Sequence, residues 1–76
     1  MHHIHIKYTG MKNVAKMDMF ANNNFGEGAF SKFIFGDFKW RREFVTDEKG
    51  TTYIRYLFLN KDDFEYFRLV WGYDGL

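Results

Sequence analysis

No cysteine and no proline occur in the 76 residues. The first absence excludes disulfides and thiolate metal centres, and it suits a reducing compartment. The second leaves no proline-stiffened turn or loop. Charge of one sign is lacking too: eleven Lys and Arg stand against ten Asp and Glu, a formal net charge of +1. That balance fits neither a strongly basic nucleic-acid binder nor an acidic mimic of DNA, which has to reproduce phosphate charge density. No apolar run approaches the ~20 residues of a membrane span. Met1 to Tyr8 alternates polar and apolar residues instead of following a basic-then-apolar leader. The expectation is one cytoplasmic domain, residues 1–76, with no membrane contact.

Aromatic residues are what the chain has in quantity: ten Phe, five Tyr and two Trp. All but Tyr8, Phe20 and Phe25 fall between Phe30 and Tyr73. A chain this short buries only about 60% of its unfolded surface, and each ring brings roughly 150–250 Å². A slim sheet and a short helix are expected to leave part of that ring surface bare for a partner. Phe, Tyr, Ile, Asn and Lys are abundant, all with AT-rich codons, which suggests a phage, a mobile element or a low-GC bacterium as the source.

Residues 3–8 alternate with period two, Ile4, Ile6 and Tyr8 against His3, His5 and Lys7, as a half-buried strand does. Residues 11–21 put Met11, Val14, Met17 and Ala21 on one helical face with Asp18 intruding. A strand is the alternative there, and residue propensity favours the helix. Asn22 to Gly28 reads as a loop. Strands are predicted over 29–35, 38–46 and 51–59, the first two joined at Gly36-Asp37. A helix over 60–71 is capped by Asn60, with Asp63 as its capping-box partner, and ends at Gly72 as a C′ residue. Phe64, Phe67, Val70 and Trp71 form its apolar stripe. The fold class is small α+β: an antiparallel sheet of about four strands with the C-terminal helix on one face.

Asp47-Glu48-Lys49-Gly50 reads as a four-residue hairpin loop closed by Gly50. That loop sets Thr46 opposite Thr51, Phe44 opposite Tyr53, Arg42 opposite Arg55 and Trp40 opposite Leu57. One sheet face then carries Phe38, Trp40, Arg42, Phe44, Tyr53, Arg55, Leu57 and Leu59. The other carries Lys39, Arg41, Glu43, Val45, Thr52, Ile54, Tyr56 and Phe58.

No catalytic constellation is found. Ser31 is the sole serine, and nothing near it suggests a base. Gly26-Glu27-Gly28 lacks the spacing and the lysine of a phosphate loop. The carboxylates sit mostly at turns or a helix start. No cofactor is expected and no metal site. His3 is the one residue that could contribute to one, as the third residue behind a free amine, where Cu(II) or Ni(II) can bind in a square plane.

The leading expectation is therefore a non-enzymatic protein that docks on a host protein or defence complex, such as a restriction or CRISPR system, and occludes it. Its contact residues would be Lys39, Trp40, Arg41, Arg42, Tyr53, Arg55, Tyr56 and Phe58, because aromatics mixed with arginine are enriched at interface hot spots. The second reading is a nucleic-acid binder using Lys32, Lys39, Arg41 and Arg42 with stacking rings. The helix–three-strand–helix order is similar to that of double-stranded-RNA-binding domains, but Asn60 to Glu65 is acidic where those domains start a helix with basic residues. The third reading is a homodimer that pairs an exposed strand or face.

Overall fold

The alternation at the amino terminus forms strand β1 (His2–Lys7), with Ile4 and Ile6 buried and the residues between them exposed. The computed structural model describes residues 1–28 and 38–72. Helix α1 (Met11–Phe25), strands β2 (Trp40–Thr46) and β3 (Thr52–Phe58), and helix α2 (Lys61–Trp71) follow in order. Among the described residues the sheet has three strands in the order β1-β3-β2, both pairs antiparallel. The α+β class is as expected. The predicted strand over 29–35 and the Gly36-Asp37 turn lie outside the described residues.

Residues 11–21 are helical, and the helix runs four residues past the predicted end. Phe25 continues the stripe of Val14, Met17 and Ala21, and all four are buried. Burying that ring is worth roughly 1.5–3 kcal/mol, more than the modest cost of each helical asparagine. The expected loop over 22–28 is thus shortened to its glycine end. Gly26, at φ 94°, stops the helix, and its N–H bonds to the Asn22 carbonyl at 3.1 Å. Met11, expected on the inner face, is exposed instead.

The hairpin register differs by one residue from the expectation. Thr46 pairs with Thr52, Phe44 with Ile54, Arg42 with Tyr56 and Trp40 with Phe58. Asp47 causes the shift. Its N–H bonds to the Thr51 carbonyl at 2.9 Å, so it belongs to the ladder and only Glu48, Lys49 and Gly50 loop out. Asp47 Oδ1 accepts from the N–H groups of Lys49 and Thr51, both at 2.9 Å. Gly50, at φ 82°, takes the left-handed position of a three-residue hairpin loop. A one-residue slip turns every side chain of a strand to the opposite face. Ile54, Tyr56 and Phe58 therefore join Trp40, Arg42 and Phe44, and Arg42 no longer faces Arg55.

Helix α2 begins as expected: Asn60 Oδ1 accepts from the Asp62 N–H at 2.8 Å. Phe67 is buried, and Phe64 and Trp71 pack against the core. Val70, placed on the stripe by its spacing, is 45% exposed beside Tyr66 and Leu69. Gly72 is right-handed (φ −77°) and so is not the left-handed cap predicted. Close approach selects glycine there: an added Cβ would lie 2.5 Å from the Arg68 carbonyl oxygen and 3.1 Å from Ile4 Cδ1.

Both helices cover the same side of the sheet. Ile4, Ile6, Ile54, Tyr56, Phe58 and Trp40 point towards them and form one core with Val14, Met17, Ala21, Phe25 and Phe67. Neither helix covers the other side of the sheet, an arrangement that antiparallel sheets permit.

Candidate functional site

The register divides the expected contact residues between two surfaces. Trp40, Tyr56 and Phe58 are 0% exposed. They are core residues, so they are withdrawn from the contact set. Trp40 is held at both ends. Its Nε1–H donates to the Gly26 carbonyl at 2.7 Å, and its ring lies against Gly28. This is the structural use of the Gly26-Glu27-Gly28 sequence.

Arg42 also points inward. It forms an ion pair with Asp18 of α1 at 2.9 Å, and its guanidinium lies 5.2 Å from the Phe44 ring centroid. The Tyr56 hydroxyl donates to the same carboxylate, to Oδ1, at 2.6 Å. The residue that interrupts the apolar stripe of α1 thus anchors the helix to β2 and β3 through charge-assisted bonds. Burial, then the bond to Asp18, pushes the Tyr56 hydroxyl well above the ordinary tyrosine range.

That shift predicts alkaline sensitivity. The unfolded chain releases the Tyr56 proton near pH 10, whereas the folded protein retains it. The stability it protects is complete below pH 10 and falls above it by about 1.4 kcal/mol per pH unit. In urea titrations between pH 9 and 11.5, Tyr56→Phe should flatten this decline. An equal decline in both proteins refutes the assignment.

The outer face is a grid of three rows. His3, Leu57 and Arg41 form the first; His5, Arg55 and Glu43 the second; Lys7, Tyr53 and Val45 the third. Lys39 and Leu59 extend it by one further bond, Leu59 N–H to the Lys39 carbonyl at 2.9 Å. Of the expected contact residues, Lys39, Arg41, Tyr53 and Arg55 lie here together. Lys39 is exposed and the other three half-buried. Lys32 lies outside the described residues.

The middle row is a continuous polar chain. Arg55 Nη1 bonds Glu43 Oε1 at 2.7 Å, and Arg55 Nε donates to His5 Nε2 at 2.8 Å. Partial burial, the Arg55 charge and His3 hold the His5 imidazole below its usual value, against a smaller opposing pull from Glu43. A neutral His5 is what an N–H donor requires of its acceptor. Because His5 Nε2 is already engaged, the His3–His5 pair, 5.4 Å apart between ring centroids, is not a ready pair of metal ligands. Among the described residues no group of three His, Cys, Asp or Glu is placed to hold a metal ion.

Among the described residues the expected surplus of bare rings is largely absorbed. Helix α1 supplies a second cover for the sheet, and Tyr8, Phe20, Phe64 and Trp71 pack onto the core. Phe44 and Tyr66 remain 46% exposed. On the outer face Tyr53 is the one Phe, Tyr or Trp among the described residues, beside the imidazoles of His3 and His5. Lys7 and His5 were missed as members of this face, whereas Glu43 was already placed beside Lys39 and Arg41. The alternation of residues 3–8 already placed His5 and Lys7 opposite the buried isoleucines; what was lacking was the strand order that brings β1 beside β3.

No described helix is long and apolar enough to cross a membrane. The chain matches no family model, no curated protein and no solved structure.

Proposed function

We propose that this chain is a non-enzymatic binding protein that docks through the outer face of its sheet on a larger protein and occludes it. The observation that carries the reading is the separation of the two sheet faces. Among the described residues the apolar core lies on one side. The other presents Lys39, Arg41, Tyr53, Leu57 and Arg55 with no structural duty of that size. Leu57, Tyr53 and Val45 supply apolar contact, and the cations surround them. Arg55 is pre-aimed by Glu43 and His5, which lowers the ordering cost of binding. The phage or mobile-element origin and the host defence target belong to this proposal, and the small size and the abundance of Phe, Tyr, Ile, Asn and Lys support them.

A nucleic-acid partner is the second reading, favoured by the excess of Lys7, Lys39, Arg41 and Arg55 over Glu43 on this face. It is weaker because base stacking draws on several rings and Tyr53 is alone here. Salt separates the two. Phosphate contacts lose affinity steeply between about 50 and 200 mM salt, whereas an arginine–tyrosine protein contact loses far less.

The test is affinity capture from host lysate with the wild type and with the Arg41→Ala, Tyr53→Ala double variant. The double variant should lose the captured protein by tenfold or more, while its Tm stays within a few degrees of wild type. Full retention by a folded double variant refutes the proposal.

A further inference from the structure

Among the described residues one side of the β1 backbone is unpaired. The Tyr8 N–H bonds the Thr52 carbonyl at 3.0 Å. In an antiparallel ladder the hydrogen-bonded positions recur every second residue. With the observed register, His2, Ile4, Ile6 and Tyr8 turn their peptide groups to β3, and His3, His5 and Lys7 turn theirs away. β1 is the edge of the sheet in the order β1-β3-β2, and among the described residues no strand pairs with its outer side. Edges are usually blunted by proline, a bulge, inward charges or a covering loop. β1 has none of the first three, and Lys7 is its single full charge.

We propose that this edge takes up an extended acidic segment of the partner protein as an added strand. The proposal deepens the docking reading and rests on it. Main-chain bonds from His3, His5 and Lys7 supply the affinity, as in other cases of strand addition. Charge selects the occupant. Alternate side chains of an added strand lie about 4.5–5.5 Å, Cβ to Cβ, from His3, His5 and Lys7. Bordering that position are Lys7, a full cation, His3 and His5 from β1, and Arg55 from β3; His5, whose Nε2 accepts from Arg55, carries its proton on Nδ1, a donor that suits a carboxylate. The nearest acid on the outer face is Glu43, two strands away and tied to Arg55. Glutamate or aspartate at every second position would complement this row. A second copy of β1 would not, since it brings histidine and lysine and no carboxylate to meet them.

The test is an NMR titration of the ¹⁵N-labelled protein with three short synthetic peptides. One alternates glutamate and valine, the second alternates lysine and valine, and the third is the glutamate peptide N-methylated at its valines. The glutamate peptide should shift the amides of His3, His5 and Lys7 and slow their hydrogen exchange; the other two should not. His3→Pro removes one outward N–H and leaves the β1–β3 bonds intact, so it should weaken binding about tenfold. N-methylation gives the same answer without altering the protein, should His3→Pro fail to fold. Three results each overturn the proposal: no shift at the three amides, equal binding of the lysine peptide, or binding indifferent to N-methylation. Lysate capture separates the two readings. A partner lost on Arg41→Ala, Tyr53→Ala but kept by a folded His3→Pro leaves the docking face standing and removes the edge. A partner kept by both variants removes the docking face itself.

Discussion

Phe67→Ala should strip the protein of a large part of its stability. The Phe67 ring sits 4.6 Å from Tyr56, 5.0 Å from Phe58 and 6.2 Å from Phe20 between centroids. It is 0% exposed and is the one fully buried residue of α2. Truncating a buried Phe costs about 3–5 kcal/mol, because lost transfer energy adds to a cavity that the neighbours fill only in part. At roughly 0.05–0.15 kcal/mol per residue, a domain of this size holds only about 4–11 kcal/mol in total. The loss should appear as a fall in Tm of about 20 °C or more, or as no cooperative transition. Phe67→Leu, which keeps most of the volume, should be far milder. A Phe67→Ala protein melting within about 5 °C of wild type would contradict the packing described.

The second large effect comes from adding a methyl group. A Cβ on Gly28 would lie 2.2, 2.4 and 2.5 Å from three atoms of the Trp40 indole. The indole cannot swing aside: it is fully buried, and its Nε1–H is bonded to Gly26 one turn of chain away. Gly28→Ala therefore forces either the ring or the loop out of place. Overpacking of this kind costs about 1–3 kcal/mol, and here the Trp40 hydrogen bond is at stake as well. A loss of about 3 kcal/mol and a Tm lower by roughly 15 °C are expected. The mechanism has its own control. Trp40→Leu alone should destabilise, but adding Gly28→Ala to it should cost almost nothing further, since the clashing atoms are gone. Strict additivity of the two substitutions in a double-mutant cycle would show that the glycine serves another purpose.

Much of the fold was legible because its signals are local. The alternation of residues 3–8, the spacing of Phe64 and Phe67, and Asn60 before an acidic turn each act within a few residues. The register was not legible, and the cause is a single residue. Whether Asp47 closes the ladder or opens the loop depends on its carboxylate bonding two N–H groups, and either loop ends equally well at Gly50. The decision moved Tyr56 and Phe58 from the face of Lys39 and Arg41 to that of Trp40, and Tyr53 the other way. The length of α1 was hidden for a different reason: three asparagines argue for a loop, and only the burial of Phe25 overrides them. Asp18 was visible as an exception on its helix, but its partners Arg42 and Tyr56 lie far along the chain. Of the binding face, Lys39, Arg41, Tyr53 and Arg55 were named from the mixture of ring and cation. Alternation alone already set Lys39 and Arg41 apart from Trp40 and Arg42; that Tyr53 and Arg55 join the first pair, and Tyr56 and Phe58 the second, followed from the register.

Because the anchoring side chains and the solvent-facing grid alternate along the same strands, the two sets of positions can change independently. Substitutions at Arg41, Tyr53 or Leu57 leave the packing beneath them untouched. A lineage carrying this chain can therefore revise what it recognises, position by position, while the scaffold stays the same.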